Sequence, residues 1–274
     1  MLRHASSSAV VGLRPPAAVP IGFALATVLA QIAYPLVHGE ARNVLTVLTV
    51  LLFAAASGTA AWRRAGAGFA GLLLLVSAGG GFVAEAIGVA TGVPFGHYTY
   101  AGSLGPRLLE VPLVIPFAWA MMAYPALLVG RYCASSVAGR TAVAAVALAT
   151  WDVFLDPQMV DAGHWSFAPG NGPTLTGIPL INFAGWLLVA AVLMLVLTVV
   201  LPWDRHDPGP AEDARDSSSL VPLGLYLWTY ASSLLANLVF FGRPEVALTG
   251  GLAMAVPVAL LLRALLRPGP VKAW

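Results

Sequence analysis

Apolar runs of about 20 residues recur along almost the whole chain, and they limit its possible folds more than any other feature. A helix of that length crosses the hydrocarbon core of a bilayer, which is about 30 Å thick. Hydrophobic residues make up 59% of the 274 positions and charged residues only 9%, unlike a soluble domain. Because the runs are continuous stretches of Leu, Ala and Val, we expect helices rather than a barrel. The sequence therefore predicts an all-α, polytopic integral membrane helix bundle.

The hydropathy pattern predicts eight transmembrane spans. They cover residues 17–38, 43–61, 67–90, 111–130, 138–156, 179–201, 220–241 and 246–266. Residues 1–16 form a predicted cytoplasmic tail, and residues 17–270 form a single membrane domain. Because the first apolar run is long, a retained span is favoured over a cleaved signal peptide. The acidic, Ser-rich segment 202–219 has the composition of a flexible cytoplasmic linker.

The distribution of positive charge predicts the orientation of these spans. With eight crossings, both termini and the connections near 62–66, 131–140 and 202–219 share one side. That side carries Arg3, Arg14, Arg63, Arg64, Arg131, Arg140, Arg205, Arg215, Arg263, Arg267 and Lys272. The other side carries Arg42, Arg107 and Arg243. Since cytoplasmic loops are enriched in Lys and Arg, we expect a cell-membrane protein with both termini in the cytoplasm and with loops 91–110 and 157–178 outside.

Several functional classes lack their sequence signatures in this chain. The net charge of +2 comes without a basic patch, so nothing indicates a nucleic-acid partner. Cys133 is the single cysteine, which excludes an internal disulfide. The stretch "GAGFAG", 66–71, matches a dinucleotide-binding pattern but opens a membrane span without a preceding strand. The five histidines form no i,i+3 or i,i+4 pair, unlike those of membrane di-iron oxygenases. We therefore expect neither a cofactor nor a metal.

Two segments of the chain align without a gap at an offset of 67 residues. The segments are 85–119 and 152–186, and ten of their 35 positions are identical, including a Gly-His-aromatic run, a Gly-Pro pair and a Trp. Each unit consists of a helix, an outer loop and a second helix, and the two units run in the same direction. A parallel repeat of this kind predicts a pseudo-two-fold axis along the membrane normal, with the functional site between the copies. The alternative is two similar outer loops that share turn chemistry.

Carboxylates lie within the predicted spans, near their outer ends. The stretch "WDVFLDPQM" holds Asp152 and Asp156 one helical turn apart, and the repeat makes Glu85 the counterpart of Asp152. Asn182 opens the sixth span. Ionisable groups are costly at membrane depth and are candidates for function. For Asp156, which precedes Pro157, the alternative is that the carboxylate simply meets water at a helix end.

The core of the chain resembles a known family. The stretches "GVPFGHYTYAGSLGPRLLEVPLVIPFAWAMMAYP" and "WDVFLDPQMVDAGHWSF" are similar to those of the CruF-type membrane carotenoid biosynthesis family, whose haloarchaeal members are bisanhydrobacterioruberin hydratases. The likeness covers about residues 81–190. It implies that water is added to the terminal C1–C2 double bond of an acyclic carotenoid to give a tertiary alcohol. The implied partners are that carotenoid, the lipid bilayer and other enzymes of carotenoid synthesis, and no redox cofactor is required.

Such a hydration needs a proton donor, a stabilised tertiary cation and a water molecule. Two acids that share a poorly solvated site cannot both ionise easily, so one keeps its proton. We expect Glu85 and Asp152 to form this pair, and Asp156 to be a further acid or the base that orients water. Aromatic faces stabilise a cation, although outer aromatic residues also form interfacial belts. The residues expected to contact the carotenoid are His97, Tyr98, Tyr100, Trp119, His164, Trp165, Asn182, Trp186 and Tyr230.

Two alternative functions fit the same residues. A metal-dependent intramembrane prenyltransferase would use Asp152 and Asp156 to hold a diphosphate through magnesium, although the other repeat lacks a second acid. A non-enzymatic protein would bind or transport a carotenoid or another lipid. Dependence on metal would identify the first alternative, and dependence on a proton gradient would identify a transporter. For His97 and His164, hydrogen-bonded loop histidines are favoured over a metal pair.

Overall fold

The computed structural model describes residues 14–203 and 216–266. Residues 1–13 of the predicted tail, residues 204–215 of the predicted linker and residues 267–274 lie outside the described part. Within that part the chain forms eight long helices joined by short turns and two longer loops. The helices are α1 Ala18–Ala33, α2 Glu40–Ala65, α3 Ala67–Thr91, α4 Ile115–Cys133, α5 Val137–Asp161, α6 Leu180–Val200, α7 Ser217–Phe240 and α8 Pro244–Leu265.

Seven of the helices in the described ranges are long and apolar enough to cross a membrane. The exception is α4, which lies at the centre of the bundle against α2, α5, α7 and α8. Its large side chains Trp119, Tyr124 and Leu128 are fully buried, so most of α4 contacts protein, and Phe117 near its start is 42% exposed. The outer helices expose Leu and Val side chains, as Leu29 and Leu252 do. The predicted membrane-spanning helix bundle is confirmed. The helix that falls short of the others in apolar composition, α4, is the one that the other helices enclose.

Two helices contain a local widening of the helical turn. In α3 the segment Leu75–Gly79 adopts π-helical geometry, and α7 ends in a second π-helical turn at Ala236–Phe240. Such turns shift the side chains that follow them around the helix axis. The first turn therefore helps to set the direction in which Glu85 leaves α3.

The loop between α3 and α4 and the loop between α5 and α6 contain short strands that the sequence did not predict. Each loop ends in a two-residue hairpin, β2 Arg107–Leu108 with β3 Val111–Pro112, and β5 Thr174–Leu175 with β6 Ile178–Pro179. Each hairpin turns through two residues with positive φ, which is the geometry of a type I′ turn. The loops also pair with each other, because β1 Tyr98–Tyr100 lies antiparallel to β4 Trp165–Phe167.

The contacts of the two loops match at the offset of 67 residues. The backbone N–H of Ala168 donates to the carbonyl of His97 at 2.8 Å, and the N–H of Ala101 donates to the carbonyl of His164 at 2.7 Å. The β1–β4 register has the same symmetry. When each residue is exchanged for its counterpart 67 positions away, the pair Tyr98–Phe167 becomes the pair Trp165–Tyr100, which is also observed. A pseudo-two-fold axis produces this pattern. The duplication stays a prediction, which these matching contacts support.

Candidate active site

A cavity of about 170 Å³ lies at the end of the bundle covered by the two loops. This volume has room for on the order of ten water molecules. Helices α1 to α7 all contribute side chains to its wall. The aromatic part of the wall consists of Tyr34, Phe95, Tyr98, Tyr100, Trp119, Trp151, Phe154, Trp165, Phe167, Trp186 and Phe241. The carboxylates on the wall are Glu85 and Asp156. The cavity is thus mainly apolar, with two acids facing into it.

Glu85 is held by three side-chain donors. Its Oε2 accepts hydrogen bonds from the hydroxyls of Tyr98 at 2.5 Å and Tyr100 at 2.8 Å. Its Oε1 accepts from the indole N–H of Trp119 at 3.0 Å. The tyrosines come from β1 and the tryptophan from α4, so two separate elements fix one carboxyl group of α3. The carboxyl is 3% exposed and therefore depends on these donors instead of bulk water.

Asp152 and Asp156 share a single amide group. The side-chain N–H₂ of Asn182 donates to Oδ2 of Asp152 at 3.1 Å and, over a very short contact, to Oδ2 of Asp156. The Trp165 indole N–H donates to Oδ1 of Asp156 at 3.1 Å. Oδ1 of Asp152 is buried and has no hydrogen-bond partner among the described residues. Two neighbouring carboxyl groups with so few donors are most stable when they hold one proton between them.

The strand pair β1–β4 connects the two acidic groups. Tyr98 and Tyr100 of β1 hold Glu85, whereas Trp165 of β4 holds Asp156. The rings of Tyr100 and Trp165 lie opposite each other across the pair, with centroids 5.6 Å apart. Burial, and then the charge of Glu85, raises the pKa of both tyrosines. Both phenols therefore stay neutral and act as donors at physiological pH.

Trp119 and Trp186 form a stacked pair beside Glu85. Their ring centroids are 4.0 Å apart and their planes differ by 12°. Trp151 meets Trp186 edge to face at 6.2 Å. Trp119 and Trp186 are counterparts at the offset of 67 residues, so the stack lies where the predicted axis would pass. Its π faces and the adjacent carboxylate create a place where positive charge is favoured.

Close packing of α3 against α4 keeps Trp119 in this position. A Cβ atom on Gly81 would lie 2.5 Å from Cγ of Trp119. We expect Gly81→Ala to displace the ring, to lower the free energy of unfolding by about 1–3 kcal/mol and to reduce activity. Thermal unfolding in detergent measures the first effect. Gly71→Ala in the same helix is the matched control, because nothing lies within 4 Å of its added Cβ, and an equal loss there would contradict this expectation.

Several predicted site residues line the cavity and others do not. Those on its wall are Glu85, Tyr98, Tyr100, Trp119, Asp156, Trp165, Asn182 and Trp186. Those that do not line it are His97, Asp152, His164 and Tyr230. Asp152 is 0% exposed. It is connected to the cavity only through Asn182, which donates to it, and through Asp156, one turn further along α5. The predicted pairing of Glu85 with Asp152 therefore places one acid at the cavity and the other behind its wall.

Neither loop histidine lines the cavity, and both contact other residues of the two loops. His97 is exposed, and its backbone N–H and carbonyl both bond to the side chain of Asn171. His164 is fully buried, with Nδ1 2.8 Å from the Ser103 hydroxyl. Burial lowers the pKa of His164, which keeps the ring neutral. Among the described residues, no three His, Cys, Asp or Glu side chains form a group that could hold a metal ion.

The cavity also has polar residues that the sequence did not assign to the site. They are Gln31, Tyr34, Thr46, Thr49, Gln158, Thr229, Ser232 and Ser233. Most of them lie on α1, α2 and α7, outside the two repeated units. The signal that could have revealed them is their polarity within strongly apolar helices, since polar groups in a membrane bundle tend to face its interior.

Comparisons with known proteins identify the family of this chain. The family model described as "Carotenoid biosynthesis protein" matches residues 42–257. The chain is 36% identical over 140 residues to bisanhydrobacterioruberin hydratase of Haloarcula japonica, a match that covers 49% of this chain and 45% of that protein. The match thus spans about half the length of this relative. No solved structure matches the chain. Since the family model covers most of the sequence, this multi-pass membrane protein belongs to the carotenoid biosynthesis protein family.

Proposed function

We propose that this protein is a carotenoid hydratase, which adds water to the terminal carbon–carbon double bond of an acyclic carotenoid. The observation that carries the proposal is the presence of two buried carboxyl groups, Glu85 and Asp156, on the wall of an aromatic cavity inside a membrane bundle. The similarity to a protein named as a hydratase supports the same reaction class. The product is a tertiary alcohol.

The cavity suits the end group of an acyclic carotenoid. Its wall is rich in aromatic rings and, among the described residues, contains no Lys or Arg side chain. A diphosphate would lack a cationic side chain there, and the described residues form no group of three His, Cys, Asp or Glu side chains to hold its magnesium, which disfavours the prenyltransferase alternative. The polyene dissolves in the bilayer and lies among the apolar helices, while its branched end group enters the cavity.

The first step is protonation of the double bond, and we assign it to Asp156. This residue faces the cavity and shares one amide donor with Asp152, so the pair retains a proton that can be delivered. The proton adds to the less substituted carbon and leaves a tertiary cation on the more substituted one. Asp152 acts as a positioning residue, because it holds Asn182 and shares the proton of its neighbour.

The second step is stabilisation of the cation, and we assign it to the aromatic stack and Glu85. Trp119 and Trp186 cover each other's inner faces, so a cation meets one outer face of the stack, which offers about 0.5–2 kcal/mol at van der Waals distance. Glu85 has three donors on its oxygens and is suited to remain a carboxylate during this step. Water then forms a bond to the cation and loses a proton to Glu85. Proton exchange between the two acids restores the starting state, and the net change is the addition of one water molecule.

We also propose that the cavity lies near the outer face of the cell membrane. Within the described residues, the opposite end of the bundle carries Arg14, Arg63, Arg64, Arg131, Arg140 and Arg263, whereas the cavity end carries Arg42, Arg107 and Arg243. This excess of positive charge supports cytoplasmic termini. Labelling of single cysteines placed in each loop, with a reagent that does not cross the membrane, would test the orientation.

The function is tested by expression in cells that make lycopene or another acyclic carotenoid. We expect new carotenoids that are heavier by one water molecule and hydroxylated at the terminal tertiary carbon, detected by chromatography and mass spectrometry. The purified protein in detergent should perform the same conversion with excess chelator and without any ion gradient. Unchanged pigments across several acyclic substrates would contradict the proposal, and loss of activity in chelator would favour the metal-dependent alternative.

A further inference from the structure

The cavity has a second polar wall that the acids and the repeated units do not form. Helices α1, α2 and α7 build it, together with the short turn Tyr34–Leu36 that follows α1. Its polar members are Gln31, Tyr34, Thr46, Thr49, Thr229, Ser232 and Ser233. The reaction assigned above uses none of these groups, although it requires a water molecule that reaches the cation in a defined position.

Some hydroxyls on this wall already have partners in the protein. Thr46 donates to the carbonyl of Arg42 at 2.9 Å, and Thr229 donates to the carbonyl of Leu225 at 2.8 Å. Each of these bonds joins a side chain to the preceding turn of its own helix. Such bonds satisfy a hydroxyl in an apolar helix without any ligand.

Tyr34 and Thr49 differ from these residues. The two side chains are only 7% and 9% exposed, both line the cavity, and neither hydroxyl has a hydrogen-bond partner among the described residues. Buried hydroxyls in proteins almost always have a partner, and an unsatisfied one is costly. A molecule inside the cavity would supply the hydrogen bonds that the protein does not.

The chemistry of this wall identifies the kind of molecule. A hydroxyl donates one hydrogen bond and accepts others, so a pair of hydroxyls suits a neutral oxygen that can also do both. No Lys or Arg in the described ranges lines the cavity to favour an anion. The acids Glu85 and Asp156, which could favour a cation, come from α3 and α5 and not from this wall.

We propose that Tyr34 and Thr49 bind the water molecule that is added to the carotenoid and, after the reaction, the tertiary hydroxyl formed from it. The inference rests on the proposed hydratase function. Asp156 delivers a proton to one carbon of the double bond, and the water held by Tyr34 and Thr49 forms the carbon–oxygen bond at the other. The excess proton of that water passes to Glu85, so the atoms and charges balance.

This assignment predicts a specific defect when either hydroxyl is removed. In Tyr34→Phe and Thr49→Val the acids still protonate the double bond, but water adds to the cation more slowly. The cation therefore returns more often to an alkene by losing a proton. We expect the rate of alcohol formation to fall about tenfold in each variant, with little change in the KM for the carotenoid. In D₂O, the recovered alkene should contain more deuterium for each molecule of alcohol formed than with the wild-type protein.

The ratio of deuterated alkene to alcohol does not depend on how much of the variant is folded. Thr49→Ser retains the hydroxyl and should restore a ratio close to that of the wild type. Thr59→Val is the matched control, because Thr59 lies on the same helix, donates to the carbonyl of Ala55 at 2.6 Å and does not line the cavity. Its ratio should equal that of the wild type.

The outcomes separate this inference from the proposed function. If the wild-type protein forms no alcohol from any acyclic carotenoid, the hydratase proposal fails. If the wild-type protein forms alcohol but both variants match its rate and its isotope ratio, the water-binding role of Tyr34 and Thr49 is wrong. A parallel loss of alcohol and deuterated alkene would also overturn it, because that result indicates damage to the site before water is captured.

Discussion

Glu85→Gln is expected to lower the rate of carotenoid hydration by at least about 100-fold, the usual scale for losing a catalytic carboxyl group. Glutamine keeps the shape of the side chain but has only one oxygen and no negative charge. In the native site both carboxyl oxygens accept hydrogen bonds from Tyr98, Tyr100 and Trp119. The amide N–H₂ of glutamine would face at least one of these donors, so the variant loses cation stabilisation and the acceptor for the proton of water.

The rate of alcohol formation by purified protein in detergent measures this effect. Glu245→Gln is a suitable control, because Glu245 is an exposed acid in the first turn of α8 that does not line the cavity. Thermal unfolding of both variants separates loss of activity from loss of folded protein. A Glu85→Gln protein that is folded and forms alcohol at the wild-type rate would refute the role of Glu85.

Asp156→Asn is expected to cause a loss of similar size, and Asp152→Asn a smaller one. Asp156 faces the cavity, and asparagine cannot deliver a proton to a double bond. Asp152 lies behind the wall, and in the proposed mechanism it acts through Asn182 and Asp156, so its replacement leaves a proton-donating carboxyl group in place. We expect losses of about 100-fold or more for Asp156 and on the order of tenfold for Asp152.

Asp161→Asn on the same helix is the matched control for these changes. Asp161 is exposed, pairs with Arg243, does not line the cavity and should tolerate the substitution. A larger loss in Asp152→Asn than in Asp156→Asn would reverse the assignment. That result would restore the pairing of Glu85 with Asp152 that the sequence predicts.

Much of the bundle follows from hydropathy, because a chain in lipid must satisfy its backbone hydrogen bonds within each span. All eight predicted spans correspond to long helices within the described residues, although α4 begins at Ile115 rather than at 111. The β-strands of the loops escaped prediction because each is only two or three residues long. Their pairing depends on contacts between residues about 67 positions apart, which local sequence patterns do not encode.

The candidate site, like the fold, was predictable from the sequence only in part. Glu85, Asp156 and Asn182 were recognisable from the sequence, since polar groups within apolar spans require a reason. The structure alone distinguishes Asp156 on the wall from Asp152 behind it, because the two differ by one helical turn and by the direction of neighbouring side chains. Tyr34, just after α1, and Thr49, on α2, lie outside the repeat, so the repeat did not assign them to the site with the acids.

The amino-acid sequence alone predicts a helical membrane protein, places the acids near one end of the spans and shows a core that resembles the carotenoid biosynthesis family. These properties depend on composition, period and motif, which are local in the chain. The folded structure distinguishes the acid that meets the cavity, the tryptophans that stack and the unpaired hydroxyls that line the cavity. Those properties depend on the packing of helices that are distant in sequence, where one turn or one glycine decides which side chain meets the cavity.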